Sequence, residues 1–221
     1  MPSPAANEPT SIERVSAILR RRLITGAMQP GAMVSLRSLA EDLGTSAMPV
    51  REAVGRLVSE EALELVKNRG IRVPAMSRDR LFDLTAVRVF LESELAKRAA
   101  FAIGKAALDK AKSDNDLVDA AIASGDAAAY MRSNFDFHFG IYAAAGSPTF
   151  LRLAEGIWTQ TGPFMSVVYT GLARLDYSDH HPRILAALAA RDPLTTAEAV
   201  RADIESGLDL IARSGFFTGT R

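Results

Sequence analysis

The sequence contains no cysteine, which excludes disulfide bonds and thiolate metal ligands. Any metal ion would have to be held by His, Asp, Glu or Asn side chains. No apolar run approaches the roughly 20 residues that a membrane helix needs, and no secretory signal pattern is present. We therefore expect a cytoplasmic protein with no membrane partner.

An overall charge of either sign is also lacking, since 26 Lys and Arg residues balance 26 Asp and Glu residues. Charge alone therefore does not indicate a nucleic-acid partner. With 221 residues, 48% of them hydrophobic, the chain has room for one large or two modest globular domains.

Two short helical patterns flank a tight polar turn at Gly44. Ser46 can cap the second helix, and Pro49 is tolerated in its first turn. The apolar faces of the two patterns are Leu36, Leu39, Ala40 and Leu43, then Val50, Ala53, Val54 and Leu57. This arrangement predicts a helix-turn-helix whose exposed Arg51 can reach a base edge or a phosphate in a DNA major groove.

The segments on either side complete a winged helix. Helical spacing begins at Ser11, Met33–Ser35 is short enough for one strand, and Leu63–Val66 with Ile71–Val73 predicts a hairpin turning at Gly70. Arg69 at the wing tip allows two interpretations, a solvated turn residue or a contact in a DNA minor groove.

These segments resemble the DNA-binding domain of GntR-type bacterial transcription regulators. The matching residues are Gly44, Ser46, Pro49, Val50, Arg51, Glu52, Ala53, Asn68, Arg69 and Gly70. The resemblance implies operator contacts by Arg37, Ser46, Met48, Arg51, Arg69 and Gly70. Two positions depart from the usual pattern: Ala47 is often basic in the family, and Glu61 replaces a Gly expected after the second helix.

We place a domain boundary near residue 75, which gives a winged helix-turn-helix domain at 1–75 and an all-α domain at 76–221. The fold class is mainly α, with an antiparallel six-helix bundle as the second domain. The predicted helices are Ser77–Phe101, Gly104–Ser124, Asp126–Ala145, Pro148–Gly171, Tyr177–Ala190 and Pro193–Ser214.

Polar residues interrupt the apolar stripes of four bundle helices: Arg88, the pair Asn134 and His138, His181, and Asp203. An inward Arg88 needs an anionic partner, which is either Glu92 one turn on or a carboxylate ligand. Two imidazoles and one carboxylate suit a divalent cation such as zinc, nickel or manganese.

The second domain resembles the helical effector domain of FadR-like GntR regulators, the FCD domain, in its shorter VanR-like form. Many such domains bind a metal through Asp, His, His and His; the matching positions here are Asn134, His138, His181 and Asp203. The resemblance implies a homodimeric repressor of a palindromic operator, released by a small carboxylic acid that Arg88 holds together with either the metal or His138 and His181. Because Asn134 and Asp203 depart from the usual ligands, a metal-free pocket that binds an organic acid is the alternative.

Two other functions stay open from the residues alone. The His and Asp set would also suit a metal-dependent enzyme, although no general base or nucleophile with a supporting motif accompanies it, so we expect no enzyme. A dimeric DNA-binding protein without any ligand is the other alternative. Outside the stripes, we expect His180 and Asp136 to be solvated and Trp158 to pack against a neighbouring helix or subunit.

Overall fold

The computed structural model describes residues 9–67, 69–169 and 179–214. Three helices and a hairpin form the N-terminal unit: α1 (Ser11–Ile24), α2 (Leu36–Asp42), α3 (Ala47–Ser59), β1 (Glu64–Val66) and β2 (Gly70–Arg72). Thr10 and Glu13 form a reciprocal capping box that fixes where α1 begins. The predicted winged helix is confirmed, with antiparallel β1 and β2 as the wing.

The predicted strand at Met33–Ser35 is reduced to a single bridge. Val34 and Ile71 exchange two backbone hydrogen bonds of 2.9 Å, and neighbouring residues of this segment form no ladder in the described chain. The reason is the start of α2, because Ser35 already turns away to cap that helix through a bond from the Ser38 amide.

The two ends of α3 differ in detail from the sequence-based expectation. Ser46 occupies the N-cap position, but its side chain makes no capping hydrogen bond, so the predicted side-chain cap is wrong. At the other end Glu61 has a φ of 56°, a left-handed conformation that usually favours glycine. The helix therefore ends where the family pattern expects Gly, with Glu in the strained position.

Six helices of the described chain form the bundle: α4 (Arg78–Ala102), α5 (Lys105–Ser124), α6 (Ala127–Ala143), α7 (Pro148–Tyr169), α8 (His181–Ala189) and α9 (Pro193–Arg213). The predicted mainly helical class is confirmed. The caps Ser77, Asp126 and Asp192 set three of the starts through side-chain bonds to backbone amides. Helix α8 begins later than predicted, and the predicted helix ends at Gly171 and Tyr177 lie outside the described residues.

In the bundle, α4 packs along α9 and α5 along α6, while α7 packs on α4, on α6 and on α1 of the N-terminal unit. This places α7 between the core of the bundle and α1. No helix in the described ranges is long and apolar enough to cross a membrane.

Candidate functional site

The exposed surface of α3 carries the residues predicted to face DNA. Val50, Ala53, Val54 and Leu57 are buried against the rest of the N-terminal unit. The opposite side leaves Ser46, Met48 and Arg51 exposed, with Met48 at 69%. Arg37 on α2 is also exposed and donates from Nε to Glu41 at 2.9 Å. The helix therefore presents one cation and small or flexible side chains at its first turn.

The two wing residues differ in their surroundings: the side chain of Arg69 is exposed, whereas the backbone of Gly70 is tightly packed. Arg69 is exposed in the turn between the strands, and Asn68 lies outside the described residues. Gly70 has a φ of 113°, and a Cβ atom there would lie 2.3 Å from the carbonyl oxygen of Val34. Only glycine fits this approach, so packing alone accounts for Gly70 at the base of the wing.

The polar residues predicted to interrupt the stripes are brought together inside the bundle. Arg88, Asn134, His138, His181 and Asp203 are all buried, the two histidines at 1% exposure. All except His181 line one small cavity, whose volume is about 20 Å³. That volume holds a single water molecule or ion and no organic molecule.

The arrangement of the two imidazoles and the carboxylate fits a metal site. His138, His181 and Asp203 each offer one ligand atom, and these atoms lie within 4.8 Å of one another. The carboxylate of Asp203 is 3.2 Å from His138 Nε2 and 3.9 Å from His181 Nε2. His181 Nε2 is buried and makes no hydrogen bond in the described part of the chain.

Hydrogen bonds on the far side of each ring orient these nitrogens. His181 Nδ1 lies 2.9 Å from Asn115 Oδ1, an acceptor, and therefore carries the proton. His138 Nδ1 lies 3.2 Å from the Tyr142 hydroxyl, which donates to Glu92 at 2.9 Å and so accepts from the ring. With the protons on Nδ1, both Nε2 atoms carry lone pairs and face Asp203. Such outer partners commonly fix the tautomer of metal-binding histidines.

The protonation of His138 Nε2 decides how these groups interact. If His138 carries its proton on Nδ1 alone, the lone pair on Nε2 faces the carboxylate of Asp203. Burial lowers the pKa of His181 to about 4, although Asp203 opposes the shift. For Asp203, burial raises the pKa, but a hydrogen bond from His138, made when Nε2 carries a proton, and the charges of the nearby imidazoles together outweigh it, so the pKa lies below its ordinary value. Only a proton on Nε2 or a metal ion relieves the contact between this lone pair and the anion.

Arg88 has an internal partner, one of the two possibilities that the sequence left open. Its Nε and Nη2 donate to Glu92 at 2.6 and 3.3 Å, and its guanidinium carbon lies 4.4 Å from the ring centre of Trp158. Burial lowers the pKa of Arg88, but the charge of Glu92, the hydrogen bonds to it and the nearby Tyr142 and Asp203 together outweigh burial, so the pKa is raised. Trp158 packs inside the bundle, and its Nε1 has no hydrogen-bond partner in the described residues.

Asp136 is not the solvated carboxylate that its position suggests. It accepts hydrogen bonds of 2.8 and 3.1 Å from the guanidinium of Arg21 on α1, which also lies over the ring of Phe135. Helix α1 of the N-terminal unit lies against this part of α6, and the periodicity of α6 alone does not reveal that contact. His180 lies next to the cluster as the N-cap of α8 and is half-buried.

Sequence reasoning missed the residues that orient the ligands. Asn115 reaches the cluster from α5, and no stripe argument pointed to it. Tyr142 could have been found, because it lies one helical turn after His138 on the same face of α6.

Comparisons with known proteins agree on both parts of the chain. Residues 11–73 match the model for bacterial regulatory proteins of the gntR family, and residues 83–206 match the FCD domain. The chain is 29% identical to the HTH-type transcriptional regulator McbR of Escherichia coli K12, over 79% of this chain and 80% of that protein. It is 26% identical to the HTH-type transcriptional repressor GlaR of the same organism, over 89% of this chain and 93% of that one.

A solved structure shows the same fold over nearly the whole chain. The structure of E. coli McbR/YncC aligns with a TM-score of 0.86 at 25% identity, covering 93% of this chain and 98% of that one.

Proposed function

Because the chain belongs to the GntR family of transcription regulators and carries an FCD domain, we propose that it is a repressor. Binding of a small carboxylic acid lowers its affinity for operator DNA. The observation that carries this proposal is the small cavity lined by Arg88, Asn134, His138 and Asp203, the polar cavity, because its wall α7 also packs on the DNA-binding unit. Two relatives are named as a transcriptional regulator and a transcriptional repressor. These names support a binding role over a catalytic one.

The DNA contact is assigned to the exposed face of the N-terminal unit. Arg51 and Met48 stand at the front of α3, where base edges in the major groove would be read, with Ser46 at the helix start. Arg37 would contact the backbone phosphates, and Arg69 with Gly70 would approach the minor groove. A homodimer would present two such units to a palindromic operator.

The metal site is assigned to His138, His181 and Asp203, with Asn134 as a weaker oxygen ligand. The fit rests on His181 Nε2, which makes no hydrogen bond to any residue that the structure describes, and on the lone pair of His138 that faces Asp203. A divalent ion bound there would satisfy both nitrogens and supply a positive charge to an anionic ligand. Ligand bonds of about 2.0–2.2 Å require the three groups to move slightly closer together.

The charge balance favours an anion as the effector. Arg88 and Glu92 form an ion pair, and the carboxylate of Asp203 lies 3.2 Å from His138 Nε2. With a divalent ion bound between neutral imidazoles, the formal charges of Arg88, Glu92, Asp203 and the ion add up to +1. A carboxylate would balance that charge, and the guanidinium of Arg88 and Nε1 of Trp158, which has no hydrogen-bond partner among the described residues, can donate to it.

The size of the cavity links this binding to DNA release. An organic acid fits only if the wall moves, and α7 is the wall that carries Trp158, Gly162 and Met165. The opposite side of α7 contacts the end of α1, so displacement of α7 shifts the N-terminal unit. A ligand that prefers the opened state then shifts the population away from the DNA-binding arrangement.

The DNA-binding assignment is tested with Arg51→Ala. The probe is a duplex selected from a random library by the wild-type protein, and binding is measured at one fixed salt concentration. Loss of a base contact by Arg51 is expected to weaken binding about 10- to 100-fold. The matched control is Arg132→Ala, an exposed arginine of α6, which should bind as the wild type does. Equal affinities for the two variants would reject α3 as the recognition helix.

A further inference from the structure

Met48 has the most exposed large apolar side chain that the structure describes in the N-terminal unit, at 69%. Exposure of a single apolar residue is common on protein surfaces and by itself indicates nothing. Met48, however, is the second residue of α3. Recognition helices of helix-turn-helix proteins contact base edges through their N-terminal residues. The exposed apolar group therefore lies where the protein reads a base.

The neighbours of Met48 fix its outward direction and leave it uncovered. Pro49 and Val50 are both buried in the N-terminal unit, so the start of α3 cannot turn Met48 inward without exposing them. Ala47, the residue before it, is exposed and ends at Cβ. Met48 is thus the first side chain of α3 that is long enough to enter a groove of DNA.

The charged side chains next to Met48 suit a different base pair. Arg51 and Glu52 share its exposed side of α3, three and four residues further on. Neither forms an ion pair in the part of the chain that the structure describes. Arg51 can donate to O6 and N7 of guanine, and Glu52 can accept from N4 of cytosine. The next exposed charge, Arg56, lies about 12 Å from Met48 along the helix, beyond three base-pair steps.

The thioether of Met48 limits the base edges that this residue can read. Its sulfur is a weak acceptor, and the side chain has no donor. Against guanine, adenine or cytosine it would displace water from polar groups of the major groove without replacing their hydrogen bonds. The C5 methyl group of thymine is the one apolar group that the bases present there. Contact with it buries apolar surface of both partners, and the flexible side chain of methionine adapts to its shape.

The spacing on α3 places this thymine close to the guanine. Met48 and Arg51 are about 4.5 Å apart along the helix axis, because each residue of an α-helix rises 1.5 Å. Base pairs are about 3.4 Å apart along the duplex. Contacts from these two side chains therefore fall on base pairs one or two steps apart.

We propose that Met48 selects thymine at one position of each half-site by contact with its C5 methyl group, one or two base pairs from a guanine that Arg51 reads. This inference rests on the proposed DNA-binding function and names the base that one residue recognises. Met48 then determines sequence specificity, because the methyl group distinguishes T·A from the other three base pairs.

Deoxyuridine tests the contact directly, because it lacks the methyl group of thymine and keeps the same hydrogen-bonding groups. Each thymine of the duplex selected by the wild-type protein is replaced in turn, and binding is measured at one fixed salt concentration. At one position of each half-site we expect the affinity to fall about three- to tenfold, which corresponds to the loss of one buried methyl contact.

Two variants assign this loss to Met48. Met48→Gln keeps the length of the side chain but makes its end polar, so it should bind the thymine and uracil duplexes with equal affinity. The matched control Leu117→Gln, at a side chain of α5 that is 56% exposed, should keep the wild-type preference for thymine. Circular dichroism checks that both variants fold.

The outcomes separate this inference from the proposed function. A thymine preference that survives in Met48→Gln overturns the methyl contact, and so does a selected duplex in which no thymine is sensitive to replacement by uracil. In either case, weaker binding by Arg51→Ala leaves α3 standing as the recognition helix. A wild-type protein that selects no duplex from the library overturns both.

Discussion

Gly162 of α7 lies against the carbonyl group of Ile24 at the end of α1, so closely that a Cβ atom on Gly162 would be 2.6 Å from that oxygen. The same residue lines the polar cavity on the other side of α7. One turn later, the side chain of Ser166 occupies the space that a Cβ atom on Gly26 would need. At Gly162 the bundle therefore touches backbone of the N-terminal unit, and rotation of a side chain cannot absorb a small displacement there.

This contact predicts opposite effects for two glycines of one helix. Gly162→Ala forces α7 away from α1 and is expected to destabilise the protein by about 1–3 kcal/mol and to weaken binding to the selected duplex. Gly156→Ala, on the same helix with open space at its Cβ position, should be neutral or stabilising by up to about 1 kcal/mol. Urea unfolding and DNA titration measure both. If Gly162→Ala behaves like Gly156→Ala, α7 does not transmit strain to α1.

The metal site predicts a difference between two neighbouring histidines. His181→Ala removes a ligand and should abolish stoichiometric zinc binding, whereas His180→Ala, one residue outside the cluster, should retain it. Native mass spectrometry gives the stoichiometry. Emission of Trp158, the single tryptophan of the chain, reports on the site because its ring centre lies 5.7 Å from that of His138. Zinc binding by His181→Ala with wild-type affinity would remove this residue from the ligand set.

The hydroxyl of Tyr142 predicts a graded loss of metal affinity. Tyr142→Phe keeps every ligand but removes the acceptor that orients His138. Loss of such an outer partner typically lowers metal affinity about 10- to 100-fold. The control Thr159→Ala removes another buried hydroxyl, one that donates to the carbonyl of Gly156. Competition with a chelator of known zinc affinity separates the two, and equal affinities would show that Tyr142 has no orienting role.

Stability below pH 5 is predicted to depend on the cap of α9. The Thr195 hydroxyl and the amides of Thr195 and Leu194 donate to Asp192, which lowers the pKa of its carboxyl. A lowered folded-state pKa means that the stabilisation is present above the unfolded value of about 3.9 and is lost as the pH falls through the folded value. Asp192→Asn should therefore melt below the wild type at pH 7, with the difference shrinking toward pH 3. A constant difference in melting temperature would contradict this linkage.

Local patterns predicted the elements well because helix periodicity, caps and turn residues are properties of adjacent residues. The stripe on α6 identified Asn134 and His138 as inward residues, and the winged unit followed from Gly44, Pro49 and Gly70. The prediction of a strand at Met33–Ser35 was wrong because Ser35 already caps the next helix. The prediction for Asp136 missed its ion pair for a different reason. Its partner Arg21 lies on a helix of the other unit, far away in the sequence.

The sequence by itself determined the helices, the exposed side of α3 and the inward direction of Arg88, His138, His181 and Asp203. Only the tertiary structure decided that Arg88 is held by Glu92, that Asn115 and Tyr142 orient the imidazoles, and that α7 separates the cavity from α1. These relationships join residues far apart in the chain, and their distances depend on how whole helices pack. Periodicity fixes the direction of a side chain on its own helix, but it cannot fix what that side chain meets.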